Sequence, residues 1–124
     1  MQPYFDGNLL KEKESSLPEV FDCFGTTSSA KDEIAKLFGD RKVFSTPKPV
    51  KLMKELIRAT TNKNSLIMDY YAGSGTVGAA AIELNEEDNG NRKVILVSNN
   101  ESNICKEITY KRMKMITDSF VFID

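Results

Sequence analysis

The sequence contains no histidine among its 124 residues. This excludes catalysis by a Ser-His or Cys-His pair, and it excludes most zinc sites, because imidazole is the usual base and metal ligand in them. The two cysteines, Cys23 and Cys105, lie far apart and lack the spacing of metal ligands. We therefore expect reduced thiols, no bound metal ion and a cytoplasmic location.

Long apolar runs are also absent. No segment approaches the roughly 20 apolar residues that cross a bilayer, and Met1–Asp6 lacks the basic start and apolar core of a signal peptide. We therefore expect no membrane partner. The formal net charge of −1 does not indicate a nucleic-acid-binding surface. A hydrophobic content of 40% and a charged content of 28% are typical of a soluble globular chain, either one domain or a piece of a larger one.

A strand, a glycine-rich turn and a helix are predicted in the centre of the chain, over residues 65–79. The apolar run Leu66–Met68 ends at Asp69, and small residues from Val77 onward begin the helix. The segment Gly73–Gly78 matches the G-x-G-x-x-G pattern of a nucleotide-binding loop. A purely structural turn with close helix packing is the alternative.

Two helices are predicted before this strand. The first covers Ala30–Phe38, with Ser29 as its N-cap and Gly39 as its stop signal. The second covers Val50–Thr60, with Pro49 at its first helical position. Its cations are predicted to form a solvated face, with DNA contact as the alternative; they are Lys51, Lys54 and Arg58.

The alternation continues after the glycine turn and predicts an α/β fold. We expect a helix over 77–84, a polar loop over 85–91, a strand over 94–97, a helix over 102–116 and the start of a third strand at 120–123. This order is typical of a parallel sheet with flanking helices and right-handed connections. Residues 1–28 show no sustained period and are predicted to be irregular, with either a strand or a loop at 20–24.

Two carboxylates indicate which ligand the loop holds. Asp69 would repel a dinucleotide pyrophosphate at the helix N-terminus, but it would attract the ammonium and sulfonium of S-adenosylmethionine. It therefore favours S-adenosylmethionine, and an NAD-binding oxidoreductase fragment is the alternative. Glu101 follows the second strand, where an acid can accept both hydroxyls of a ribose. Its alternative role is that of a carboxylate favoured by a helix N-terminus.

Three blocks together resemble the β-class amino-methyltransferases of DNA. Val43–Pro49, VFSTPKP, resembles the motif that precedes their cofactor strand, and Asp69–Thr76, DYYAGSGT, resembles their D-x-F-x-G-S-G-T loop with Tyr71 in place of phenylalanine. The segments 85–93 and 99–112 look like those of modification subunits of type III restriction systems. The resemblance covers roughly residues 29–116. It implies a partial Rossmann-like, S-adenosylmethionine-dependent methyltransferase fold and methyl transfer to adenine N6 in DNA.

The same resemblance implies a set of cofactor-binding residues. Thr46 and Lys48 would approach the methionine end of the cofactor, Asp69 would face its amino group, and Glu101 would hold its ribose. The turn over residues 72–76 would pass beneath the cofactor, with Ala72, Gly73, Ser74, Gly75 and Thr76, and Tyr71 just before it is also expected to bind the cofactor. In the structural alternative, the prolines around Lys48 only start a helix and Tyr71 belongs to the core.

One motif of that family is missing. Its members place an acid or asparagine before two prolines and an aromatic residue, to hold a flipped base; here the prolines stand at 3, 18, 47 and 49, and no two are adjacent. We therefore assign no catalytic residue and expect a C-terminal fragment, with residues 29–124 as its cofactor-binding half, inactive alone. Expected partners are DNA, through the full-length enzyme, and a larger methyltransferase or restriction subunit. A non-enzymatic remnant or a complementing subunit of a split enzyme is the alternative.

Overall fold

A computed structural model describes residues 22–119 and 121–123 of the chain. Within these residues, helices and strands alternate around a two-stranded parallel sheet. The elements are α1 (Thr27–Phe38), α2 (Val50–Thr60), β1 (Leu66–Asp69), α3 (Thr76–Asp88), β2 (Lys93–Leu96), a 3₁₀ turn (Glu101–Asn103), a π-helical turn (Cys105–Thr109) and α4 (Tyr110–Ile116). The predicted α/β class with a parallel sheet is confirmed. Predictions for residues 1–21 lie outside the described residues.

Helix α1 begins earlier than predicted, because Thr26 and not Ser29 is its N-cap. Thr26 Oγ1 accepts from the Ser29 amide at 3.1 Å, and Ser29 Oγ accepts from the Thr26 amide at 2.9 Å. This reciprocal pair satisfies two amides that would otherwise lack an intrahelical partner. The predicted stop at Gly39 is confirmed, since that residue adopts the left-handed conformation, with φ 78°.

The predicted bounds of α2 are confirmed, but Pro49 is its N-cap and not its first helical residue. Pro49 has ψ 137°, which is extended, and it has no side-chain group that could cap the helix. The carboxylate of Glu33 on α1 accepts from the Val50 amide at 3.2 Å instead. A contact between two helices thus replaces the local cap.

Two cations of α2 form ion pairs with α3; the predicted solvated face holds for Lys51 and Arg58, which are exposed, whereas the Lys54 side chain is only 18% exposed. Lys54 Nζ lies 3.1 Å from a carboxylate oxygen of Glu83 and 2.5 Å from one of Glu87. Arg58 pairs with Glu55 on its own helix and with Glu87 at 2.8 Å. These ion pairs join the exposed edges of two helices whose apolar faces are already packed together.

One face of the sheet packs on α3. Strands β1 and β2 pair in parallel, with Leu66 opposite Lys93 and Asp69 opposite Leu96. Ile67 and Val94 contact a buried cluster that consists of Val50, Ile57, Ala79, Ala80, Ala81 and Leu84. A Cβ on Gly78 would lie 3.0 Å from Leu96 Cδ1 and 2.8 Å from Met113 Sδ, so a larger residue would have to displace these side chains. The small residues at the start of this helix thus face the buried cluster.

Helix α3 continues to Asp88, so the prediction of a loop from residue 85 is wrong for its first four positions. Asn85 Oδ1 accepts from the Arg92 amide at 3.0 Å, and Arg92 Nη2 donates to Asp88 Oδ2, also at 3.0 Å. Through these hydrogen bonds, polar side chains connect the last turn of α3 to the segment that returns toward β2. Asn89, with φ 55°, then ends the helix.

The segment after β2 differs most from the prediction. The helix expected over 102–116 is divided into the 3₁₀ turn, the π-helical turn and α4, and Ser102 and Asn103 have φ of 55° and 60°. The third strand is not formed at Val121–Ile123, and Phe120 lies outside the described residues. A strand requires a hydrogen-bonded neighbour, and the sheet of the described residues holds only β1 and β2.

Candidate functional site

Three hydrogen bonds, two of them at Asp69, fix the point where the glycine loop leaves the sheet. The Asp69 carbonyl accepts from the Val97 amide at 2.8 Å, and the Val97 carbonyl accepts from the Ala72 amide at 3.0 Å. Asp69 Oδ1 accepts from the Tyr71 amide at 3.0 Å. This side-chain turn fixes the carboxylate at the carboxyl end of β1, where parallel α/β sheets bind ligands.

Two glycines shape the loop between Asp69 and α3. Gly73 and Gly75 have φ of 54° and 80°, a region that other residues rarely adopt. The Gly75 amide donates to the Ala72 carbonyl at 2.7 Å, and Gly75 is the N-cap of α3. The backbone therefore turns sharply between Asp69 and the N-terminus of α3.

The inner side of the loop is held by the segment after β2. Thr109 Oγ1 donates to the Gly73 carbonyl at 2.6 Å. Arg112 Nη1 donates to the Ser74 carbonyl at 3.0 Å, and it lies 3.3 Å from both Ser74 Oγ and Thr76 Oγ1. Burial lowers the pKa of the Arg112 guanidinium, while the charges of Glu33 and Glu83 oppose this shift.

The VFSTPKP block reaches the same loop from another side. Thr76 Oγ1 donates to the Lys48 carbonyl at 3.1 Å. The ring of Phe44 lies 3.3 Å from the point where a Cβ of Gly73 would stand. The structure thus brings together two segments, Val43–Pro49 and Asp69–Thr76, that sequence analysis associated only by resemblance.

The predicted site residues fall into two groups. Four are buried beneath the loop surface: Ala72, Ser74, Gly75 and Thr76. Thr46, Lys48, Tyr71 and Glu101 are exposed, while Asp69 and Gly73 are half-buried. The alternative that Tyr71 belongs to the core is wrong, because it is 92% exposed.

Like Thr46, Glu101 is a predicted site residue that no described hydrogen bond joins to the loop. It lies in the 3₁₀ turn, and its amide is 3.5 Å from Asn99 Oδ1. Its carboxylate stands at the first position of that turn, as in the alternative reading of a helix-terminal acid.

Sequence reasoning assigned no role to Arg112, Thr109 or Phe44. A signal was present for the first two, because they are spaced i, i+3 and flank the apolar positions Ile108 and Met113. That signal is weak, because an arginine that borders an apolar helical face usually keeps its charged end in water. No local pattern marks Phe44 as a neighbour of Gly73.

The described part of the chain supports neither a metal site nor a membrane-spanning helix. Residues 22–119 and 121–123 hold no group of three or more histidine, cysteine, aspartate or glutamate side chains placed to bind a metal ion. None of the helices in these ranges combines the length and the apolarity that a membrane span requires.

Comparison with known proteins identifies the family. A family model described as DNA methylase matches residues 4–118. The chain belongs to the DNA methylase family. The membership predicted from its motifs is thereby confirmed.

Curated relatives of this DNA methylase chain include two Mod subunits of type III restriction-modification enzymes and a type II methyltransferase. The chain is 40% identical over 103 residues to the Mod subunit of the type III restriction-modification enzyme StyLTI of Salmonella typhimurium. The matched region covers 78% of this chain and 15% of that subunit. It is 42% identical over 85 residues to the type II methyltransferase M.KpnI of Klebsiella pneumoniae, covering 68% of this chain and 20% of the relative. The Mod subunit of the type III enzyme EcoPI of Escherichia phage P1 is 43% identical over 76 residues, covering 61% of this chain and 12% of that subunit. The chain thus spans at most a fifth of the length of these relatives.

Proposed function

We propose that this chain is the S-adenosylmethionine-binding part of a site-specific DNA adenine-N6 methyltransferase of a restriction-modification system. Residues 29–124 would form its cofactor-binding half, within a Rossmann-like fold that β1, β2 and their helices build in part. The observation that carries the proposal is the position of Asp69, whose carboxylate is fixed at the end of β1 beside the glycine loop. Membership of the DNA methylase family supports it.

The donor set fits this cofactor better than a dinucleotide. Asp69 suits the ammonium of the methionine part, and Gly73 and Gly75 let a ligand approach the backbone closely. Thr46, Lys48 and the exposed ring of Tyr71 would border the methionine end, with Ala72, Ser74 and Thr76 forming the turn beneath it. Glu101 would hold the ribose. When bound, S-adenosylmethionine supplies the methyl group; the residues of this chain bind and orient it.

The proposal does not extend to catalysis by the chain alone. The proline pair that holds a flipped base in the resembling enzymes is not in this sequence. We infer that adenine is polarised by a segment or subunit other than these 124 residues, and that DNA and a larger methyltransferase or restriction subunit are its partners. The apolar, exposed outer face of the sheet, formed by Leu66, Met68, Ile95 and Val97, supports the related alternative of a complementing subunit in a split enzyme.

Calorimetry with S-adenosylmethionine tests the role of Asp69. Asp69→Asn keeps the acceptor for the Tyr71 amide but removes the charge, and we expect it to weaken binding by at least about tenfold, or about 1.4 kcal/mol. Asp40→Asn is a matched control, because Asp40 Oδ1 accepts from the Lys42 amide at 2.9 Å in a turn of the same kind. This turn lies far from the glycine loop in sequence. Equal affinities for wild type and Asp69→Asn would contradict the assignment.

Two further measurements separate the alternatives. Tight binding of NADH without binding of S-adenosylmethionine would restore the oxidoreductase reading. Transfer of a labelled methyl group to duplex DNA by the isolated chain would show that the inferred dependence on another segment is wrong.

A further inference from the structure

We propose that Arg112 is the positioning residue of the glycine loop: from beneath, it holds Ser74 and Thr76 in the shape that binds the methyl donor. The inference rests on the proposed function, since it assigns a role within that same site. Arg112 does not contact the ligand in this proposal. It acts through the loop, with Thr109 as the second point of attachment.

The position of Arg112 Nη1 is the first observation that supports this role. Nη1 of Arg112 lies within 3.0–3.3 Å of the Ser74 carbonyl, the Ser74 hydroxyl and the Thr76 hydroxyl. Charge-assisted hydrogen bonds are stronger than neutral ones. They orient the Ser74 carbonyl toward the protein interior, away from the open side of the loop. The two glycines make the loop flexible in principle, so an external anchor is needed to select one conformation.

Burial shows that stability alone does not explain this arginine. Arg112 is 2% exposed, and its Nε is buried without a hydrogen-bond partner among the described residues. A buried charge without a close carboxylate costs free energy, and apolar replacements of buried ionic groups are often neutral or stabilising. The contacts that offset the cost of Arg112 are directed at the loop. This distribution is typical of a residue retained for the geometry of a site.

The anchor also links two parts of the proposed site. Thr109 ends the π-helical turn, and its hydroxyl meets the Gly73 carbonyl at 2.6 Å. Glu101 begins the same segment on the other side of that turn. Thr109 and Arg112 therefore attach the segment that contains Glu101, the residue proposed to bind the ribose, to the glycine loop beneath the methionine part of the cofactor. π-Helical turns of this kind recur at functional sites.

A second buried arginine provides a matched control. Arg92 is 6% exposed and lies near the opposite end of α3, where it donates to Asp88, to Thr61 Oγ1 at 3.1 Å and to Asn85. Unlike Arg112, it has a carboxylate partner, and its side-chain hydrogen bonds all go to Thr61, Asn85 and Asp88 and none to the loop. Arg92→Met removes a buried guanidinium while leaving the loop anchors in place.

The test compares Arg112→Met, Arg112→Lys and Arg92→Met in the full chain, below the melting temperature of each variant. We expect Arg112→Met to weaken S-adenosylmethionine binding by at least about tenfold, and Arg112→Lys, which keeps a charged donor, to recover part of that loss. Arg92→Met is expected to lower the melting temperature but to leave the dissociation constant within about twofold. Equal effects of the two methionine variants on binding, or no recovery by lysine, would overturn the proposal.

Amide hydrogen exchange gives a readout that does not depend on the cofactor. The Gly75 amide, bonded to the Ala72 carbonyl, reports on the loop, and the Gly90 amide, bonded to the Asn85 carbonyl, reports on the opposite end of α3. Arg112→Met should accelerate exchange at Gly75 and not at Gly90, and Arg92→Met should do the reverse. If wild type does not bind S-adenosylmethionine, the proposed function fails while this comparison still decides the role of Arg112. If Arg112→Met does not fold, the lysine variants at both positions are compared in the same way, and unchanged exchange at Gly75 in Arg112→Lys overturns the proposal.

Discussion

The Asp69 carboxylate accepts a hydrogen bond from the backbone amide of Tyr71 at 3.0 Å, while the Tyr71 ring points into solvent and is 92% exposed. The bond is between neighbours two residues apart, so it forms as soon as the loop turns. It orders the acid before any ligand arrives. The ring takes no part in this local structure, and its contribution to binding can therefore be separated from its contribution to folding.

Tyr71 should matter for ligand binding and not for stability. Tyr71→Phe restores the residue that the resembling family uses, and we expect it to change neither the free energy of unfolding nor the affinity for S-adenosylmethionine. Tyr71→Ala should weaken binding but change stability by less than about 0.5 kcal/mol, as for other surface substitutions. Tyr70→Ala is the control, because Tyr70 is also exposed, at 65%. Equal losses of affinity in both alanine variants, measured by calorimetry, would contradict this prediction.

Gly75→Ala should destabilise the chain and disturb the loop. Its φ of 80° costs an L-residue about 1–2 kcal/mol, and an added Cβ would lie 3.3 Å from Met113 Cε. Gly39→Ala is a matched control, since Gly39 has φ 78° but nothing within 4 Å of the added Cβ. Both variants should lower the free energy of unfolding in urea, and only Gly75→Ala should weaken S-adenosylmethionine binding. A loss of binding in Gly39→Ala would show that global destabilisation is responsible.

Stability should fall in acid because two carboxyl groups at the end of α3 are paired with cations. Hydrogen bonding to Lys54 lowers the pKa of Glu87, and hydrogen bonding to Arg92 lowers the pKa of Asp88. A carboxyl group with a lowered folded-state pKa stabilises the fold above its ordinary pKa, near 4.5 for Glu and 3.8 for Asp, and loses this contribution as the pH falls through the folded value. Hydrogen bonding to Glu87 raises the pKa of Lys54, so its contribution is lost only at alkaline pH, above 10.5.

Urea melts at a series of pH values from about 3 to about 7 measure the acid effect, because this range spans the ordinary pKa values of both carboxyl groups. Glu87→Gln should flatten the decline, because the pairing that depends on ionisation is already absent. Glu86→Gln serves as the control, since Glu86 is exposed and forms no ion pair with a described residue. Identical pH profiles for Glu87→Gln and wild type would mean that these surface pairs contribute nothing measurable.

The outer face of the sheet should make the isolated chain bind apolar dyes. Met68 is 48% exposed and Ile95 41% exposed on this face, whereas parallel sheets are normally covered on both sides. Met68→Lys should reduce the fluorescence of a bound naphthalene-sulfonate dye and slow association at high concentration. Met115→Lys is matched, because Met115 is 49% exposed but lies on α4. Equal reductions in both variants would argue against a specific apolar face.

The sequence by itself determined the elements that depend on near neighbours. The bounds of α2, the stop at Gly39 and the strand, turn and helix around Asp69 and Gly75 follow from proline and glycine dihedral preferences and from apolar spacing, which act within a few residues. The family also followed from sequence, because three motifs in order are more specific than any one glycine loop.

Tertiary structure decided the features that depend on contacts between distant residues. The contacts of Arg112 with Ser74 join positions 38 residues apart, and no periodicity reveals them. The ion pair of Arg92 with Asp88 stabilises the last turn of α3, whose polar residues are typical of a loop. The chain around Ser102 departs from the helix that its apolar pattern predicts. In each case the free energy comes from burial and from hydrogen bonds that form only once the chain is packed, so local sequence carries too little information to predict them.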